Sequence, residues 1–155
     1  MILEKLSMGI GDRFGHQGQA QLSAILEAQS QGIDVVPVWN KSYREHTIIG
    51  TGPLDTRQEA DKAVKALAYA GPYYVDADHI NLDNVDTFLQ ASDFFTIDVA
   101  EAIGQSCEQA AMDAFIGQAS RFLGELEIPG IETPMQVTAE MVEAIARKFL
   151  GAVKE

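Results

Sequence analysis

The run Tyr73-Tyr74-Val75-Asp76-Ala77-Asp78-His79 decides the fold, because an apolar, strand-like stretch stops at two carboxylates and an imidazole. Those are groups that hold a divalent cation or move protons. Three other segments share the layout. Val35-Val36-Pro37-Val38-Trp39 leads into Asn40-Lys41-Ser42-Tyr43-Arg44-Glu45-His46, Phe94-Phe95-Thr96-Ile97 into Asp98, and Met8-Gly9-Ile10-Gly11 into Asp12-Arg13-Phe14-Gly15-His16. Strands that each deliver polar groups at their C-terminal ends imply an α/β enzyme whose site lies above one rim of a parallel sheet.

Between these runs the apolar spacing turns helical. A first strand is expected over 6–10 and a helix over about 16–30, on Ala20, Ile25, Leu26 and Ala28, with Gly32 as its stop. Strand two covers 33–39 and is followed by a polar loop; 47–53 reads as a short extended segment or turn. Thr56 with Glu59 forms a capping-box pattern for a helix carrying Ala60, Val64, Leu67 and Ala68, ended by Gly71-Pro72. Strand three covers 73–75, with His79 opening the loop beyond it. Asn81 or Asp83 caps a short helix presenting Val85, Phe88 and Leu89, and strand four covers 94–99. Ala111, Ala114, Phe115, Phe122 and Leu123 give a looser helical pattern, and Pro129, Gly130 and Pro134 mark a loop. Thr138 caps a last helix with Val142, Ile145, Ala146, Phe149 and Leu150 as its stripe.

Alternating strands and helices point to right-handed crossovers and a parallel sheet. Four parallel β/α units make about half of a TIM-type (β/α)8 barrel, which takes about 250 residues. The 155 residues are expected to form a single α/β domain over 1–155, with the motifs in 6–100 and a helical C-terminal region in 101–155. A small free-standing sheet, a piece of a larger enzyme, and two associating copies are the three ways to use such a half-barrel. Its open strand edges and uncovered face favour completion by self-association into a homo-oligomer.

The chain has 23 acidic and 11 basic residues, a formal charge of −12, which opposes attraction to nucleic acid or anionic membrane. No apolar run approaches the roughly 18 residues of a membrane span. The start, Met1-Ile2-Leu3-Glu4-Lys5, shows no secretory signal, and the single Cys107 cannot form an internal disulfide, which together fit the cytoplasm. No Lys or Arg lies between Ala66 and Ser120, where nine Asp and Glu stand. That field favours a bound cation if Asp76, Asp78 and Asp98 converge; a solvated acidic face is the alternative.

Strand alternation puts Asp76 and Asp78 on one side of the sheet, provided the strand runs that far, and a neutral imidazole with carboxylates is a common shell for Mn, Fe or Zn. The competing reading makes one Asp a helix cap and His79 a backbone partner. Lys41 and Arg44 suit a carboxylate or phosphate, and Glu45 and His46 suit proton transfer or metal ligation, unless the run is a solvated loop. Asp12, Arg13 and His16 repeat that cluster in miniature, with Asp12 an equally good helix cap. Gly9, Gly11 and Gly15 do not match a dinucleotide fingerprint and no P-loop lysine follows, so no nucleotide cofactor is expected. Cys107 reads as a structural thiol.

With these residues in view, the chain resembles the tagaturonate epimerase family, the tagaturonate/fructuronate epimerases of hexuronate catabolism. The matching runs are Gly11-Asp12-Arg13-Phe14-Gly15-His16-Gln17, Pro37-Val38-Trp39-Asn40-Lys41, Arg44-Glu45-His46-Thr47-Ile48-Ile49-Gly50-Thr51, Val75-Asp76-Ala77-Asp78-His79-Ile80-Asn81-Leu82 and Asp93-Phe94-Phe95-Thr96-Ile97-Asp98-Val99-Ala100. The resemblance implies a metal-dependent barrel isomerase, of which this chain carries an N-terminal portion, so that residues supplied by later strands, metal ligands among them, are expected to be missing.

The two keto-hexuronates differ at C4, one carbon too far from the C2 ketone for simple enolisation. A retro-aldol break between C3 and C4, rotation of the aldehyde and re-addition is the route that the resemblance implies. On that basis His79, Asp78 and Asp98 are expected to hold a divalent cation, and Asp78, Glu45, His46 and Asp12 to do acid/base work. Arg13, His16, Asn40, Lys41, Arg44 and Asp76 are expected to bind the sugar acid. A sugar-acid binding module without turnover, and an inactive fragment that dimerises through its open edge, are the alternatives.

Overall fold

The computed structural model describes residues 4–154. Met1, Ile2 and Leu3, part of the stretch read above for a signal, and Glu155 lie outside the described residues. Two compact units divide the chain, Met1–Asp98 and Val99–Glu155.

The first unit runs β1 (Ser7–Gly9), α1 (Gly18–Ser30), β2 (Val36–Ser42), α2 (Tyr43–Ile49), α3 (Pro53–Ala66), β3 (Tyr74–Ile80) and β4 (Phe94–Ile97). All neighbouring strands are parallel, in the order β1-β2-β3-β4. A doubly wound sheet reverses its strand order at a switch point, whereas here each β/α unit adds beside the last, as in a barrel wall. The fold is therefore α/β, a parallel four-stranded half-barrel with helices, as the strand pattern implied.

Trp39 of β2 and Val75 of β3 face the helices and are buried with Leu22 and Ile25 of α1 and Ala60 and Ala63 of α3. Alanines at 60 and 63 let α3 approach the sheet, and the buried Leu22 and Ile25 each stabilise this layer by about 2 kcal/mol. Strand alternation then sends Lys41 and Ala77 to the same helix-facing side, and Asn40, Ser42, Asp76 and Asp78 to the other.

Several boundaries differ from the sequence reading. β2 and β3 continue into their polar ends, because the register pairs Asn40 with Asp76 and Ser42 with Asp78, and backbone ladders do not depend on side-chain polarity. His79 thus lies within β3 rather than in a loop. Residues 43–49, read as polar loop and extended segment, are helical. Ser42 Oγ accepts the Glu45 N–H at 3.3 Å, the Glu45 carboxylate accepts the Ser42 N–H at 3.1 Å, and Gly50 at φ 69° ends the turn. α3 starts at Pro53, not Thr56, with the Gly52 N–H held by Asp55 at 2.7 Å, and ends at Ala66, before Gly71. The short helix after Asn81 is a 3₁₀ turn, Val85–Thr87. Phe88 beyond it is buried against Ala77 and Ile80 whereas Leu89 is exposed.

The second unit contains α4 (Gln109–Ala119), an antiparallel hairpin of β5 (Gly124–Leu126) and β6 (Met135–Val137), and α5 (Ala139–Lys154). Thr138 caps α5 by accepting the Met141 N–H at 3.2 Å. Of the expected stripe, Val142, Ala146 and Leu150 are buried while Ile145 and Phe149 stay exposed. The expected loop at Pro129, Gly130 and Pro134 is the connection of this hairpin, and its two flanking strands were missed because three residues give no periodicity to read. No described helix is long and apolar enough to cross a membrane.

Candidate active site

β3 loses its regular pairing with β4 between Ala77 and Ile80. Within that irregularity His79 adopts φ 54°, the left-handed region that side-chain-bearing residues seldom occupy. This kink re-aims the imidazole at the strand's C-terminal end. Its Nδ1 lies 2.7 Å from Oδ1 of Asp78, with the ring 62% exposed and the carboxylate 17%. A carboxylate on one ring nitrogen fixes the ring and leaves Nε2 as the outward atom, the arrangement that orients metal-binding histidines.

Asp78 and His79 line a cavity of about 510 Å³ with Ser42, Tyr43, Arg44, Glu45, Asn84 and Asp98. The ends of β2, β3 and β4 therefore supply one shared site. Asp98 stands just past β4, its N–H bonded to the Ile80 carbonyl at 2.8 Å. Glu45 is placed by its own capping box, and Arg13, from the loop after β1, reaches it at 3.5 Å. Burial opposes ionisation of Glu45, but the Ser42 N–H and hydroxyl and the Arg13 charge outweigh it and hold its pKa below the ordinary value.

Behind this rim sit polar groups with little solvent access. Asp76 is 7% exposed; it accepts the Thr96 hydroxyl at 2.7 Å, and its Oδ1, like Oδ1 of Asn40 on the next strand, is buried without a hydrogen-bond partner among the described residues. Burial raises the pKa of Asp76, the Thr96 bond opposes this, and the Asp78 charge adds to the rise. His46 is 3% exposed, Nδ1 on Thr51 at 2.9 Å and Nε2 without a partner, near the Phe88 ring. Burial, then the Lys41 charge, lowers its pKa to about 4, so it is neutral at pH 7.

Asp12 accepts the N–H groups of Phe14, His16 and Gln17 at 3.0, 2.6 and 2.7 Å and so shapes the turn into α1. Burial works against its charge, yet these bonds keep its pKa low. Lys41 and His16 line a second cavity, on the helix side, with Glu59, Thr51, Asp55 and Phe14. The structure thus gathers Arg44, Glu45, Asp78, His79 and Asp98, holds Arg13 beside them, buries His46 and Asp76 and half-buries Asn40 behind the rim, and sends Lys41 and His16 elsewhere. Sequence reasoning did not single out Ser42, Tyr43 or Asn84 as site residues. Ser42-x-x-Glu45 was a legible capping signal that would have ordered this loop as a helix.

Imidazole and carboxylates are the donor types of a borderline divalent cation. Their number does not complete a shell: among the described residues, no group of three His, Cys, Asp or Glu converges closely enough to hold a metal ion. His79, Asp78 and Asp98 are the donors of these types that line the cavity with Glu45.

Residues 1–127 match the family model described as UxaE, tagaturonate epimerase. The native crystal structure of the fructuronate-tagaturonate epimerase UxaE from Cohnella laeviribosi superposes with a TM-score of 0.74 at 18% identity, over 96% of this chain and 32% of that one. Its two-glycerol complex gives 0.71 at 17% identity, with the same coverages. At that identity the likeness shows the fold, and the chain spans about a third of the length of those structures. Among curated proteins no sequence matches. The family-model match covers most of the sequence and includes the ends of β1 to β4, so the chain belongs to the tagaturonate epimerase family.

Proposed function

We propose that this chain forms part of a divalent-metal-dependent epimerase that interconverts tagaturonate and fructuronate at C4 in the cytoplasm, with a sugar acid as its ligand. The observation that carries the reading is the shared cavity of Arg44, Glu45, Asp78, His79 and Asp98 at the ends of three adjacent strands. His79 and Asp98 would hold the cation, which would supply positive charge where negative charge develops on the substrate oxygens.

The chain's own groups do the rest. Arg44, with Arg13 next to Glu45, anchors the substrate carboxylate. Glu45, ionised at neutral pH, or Asp78 takes the proton of the C4 hydroxyl as the C3–C4 bond breaks, its electron pair passing to C3 in conjugation with the C2 carbonyl. The resulting aldehyde turns its other face, C3 re-adds, and the same carboxylate returns the proton, inverting C4. β1 and β4 are open edges, with Met8 and Ile97 exposed, and such edges support assembly into a homo-oligomer.

Incubating the 155-residue chain with tagaturonate and Mn²⁺ or Zn²⁺, and following fructuronate, tests this. Metal-dependent conversion is expected. The incomplete donor set favours a second reading, a sugar-acid binding module, and tagaturonate binding without conversion would select it.

A further inference from the structure

The cavity on the helix side of the rim has a feature that the site above does not use. Lys41 is 3% exposed, and its ammonium, at the cavity wall, feels the Asp12 and Glu59 carboxylates without a hydrogen bond or close ion pair to any described residue. A lysine so far withdrawn from water usually has such a direct partner. Its side chain lines a cavity of about 600 Å³ whose other walls include Phe14, His16, Gln58 and Glu59. In Glu59, Oε1 is buried without a hydrogen-bond partner of good geometry among the described residues, although the Gly18 N–H lies against the carboxyl. Burial, then the Asp12 charge, raises its pKa against the Lys41 charge and that N–H, so its carboxyl takes up a proton more readily than usual.

The two groups converge without pairing. A Cβ built on Gly15 would lie 3.3 Å from Nζ of Lys41 and 3.1 Å from Oε2 of Glu59. Gly15 has φ 68°, which favours glycine, and its bare Cα lets both groups close in on the loop backbone. Ammonium and carboxyl are thus held near one point, beyond ion-pair distance, and the cavity they line has room for oxygens of a ligand. Lys41 donates to a ligand carboxylate, and Glu59 takes or gives a hydrogen bond at an adjacent hydroxyl. Phe14, 65% exposed, offers an apolar wall for carbon-bound hydrogens.

We propose that Lys41 and Glu59 form a second ligand site, separate from the Asp78–His79 cavity, that takes a small hydroxy-carboxylate. No residue lines both cavities, so the site stands or falls independently of the epimerase reading.

Titrating the full ¹⁵N-labelled chain with glycerate, with glycerol and acetate as single-function controls, tests it. Glycerate should shift the amides of Gly15 and Gly18 and bind at least about tenfold more tightly than either control, since each control lacks one of the two contacts. Lys41→Met should weaken binding by about tenfold or more. Gln58→Trp, an exposed change that fills the cavity mouth without touching the core, should do the same in a chain whose folding is undisturbed. Shifts confined to residues 78–84, equal binding of acetate, or undiminished binding in Gln58→Trp would overturn the proposal.

Discussion

The Nδ1 atom of His79 lies 2.7 Å from Oδ1 of Asp78, its neighbour in sequence, because a kink in β3 turns the imidazole back along the strand end. Adjacent residues of a regular strand point to opposite faces, so the contact exists only through the left-handed backbone at His79. If the imidazole binds a cation through Nε2, Asp78→Asn should weaken Mn²⁺ or Zn²⁺ binding by about 10- to 100-fold, through loss of the orienting charge. Isothermal titration of both proteins measures this.

The same kink has a stability signature. Left-handed backbone costs a residue with a Cβ about 1 kcal/mol that glycine does not incur. His79→Gly should therefore be about 1 kcal/mol more stable than His79→Ala. Urea unfolding of the two variants compares them, and equal midpoints would contradict the strained geometry.

α3 is tied to the sheet by one acid. Arg57 donates to Asp93 at 2.6 Å and to the Ala91 carbonyl at 2.9 Å, and Asp93 also accepts the Val75 N–H at 2.7 Å. Both side chains keep about a quarter of their surface in water, which discounts the charge contribution. Asp93→Ala should cost about 2 kcal/mol, chiefly from the stranded Val75 N–H and guanidinium. Denaturant titration provides the value.

His46 makes stability fall in acid. Its folded pKa, about 4, lies below its ordinary 6.5, so between those values the unfolded chain binds the proton and the folded chain does not. The folded state therefore loses ground as pH drops from about 6.5 to 4, by up to about 3 kcal/mol, with no further loss from this group below that. His46→Asn, which can still meet Thr51, should flatten this part of the pH–stability curve; an unchanged slope would contradict the buried neutral ring.

Much of this was legible beforehand. Apolar runs ending at Asp12, Asn40, Asp76 and Asp98 announced a parallel sheet with one polar rim, because β-periodicity and strand-end polarity are local properties. The sorting of Lys41 from Ser42 was legible only once β2 was known to continue past Trp39, since one residue of strand reverses a side chain's face. The kink at His79 and the burial of His46 depend on the packing of β4 and Phe88, which no window around those residues contains. Asp12 shows the other limit: a helix cap, a loop brace and a catalyst share the same residue type in the same place, and only its bonds to the Phe14, His16 and Gln17 N–H groups, all ahead of α1, reveal the brace.

The proposed cation site is built by the ends of β3 and β4, with Arg44 and Glu45 beside it from the helix after β2. Anomalous diffraction from Mn²⁺-soaked crystals of this chain tests it most directly. A peak about 2.2 Å from Nε2 of His79, with Asp98 or Asp78 oxygens at similar distance, is the expected result. A manganese peak elsewhere, with that nitrogen bare, would contradict it.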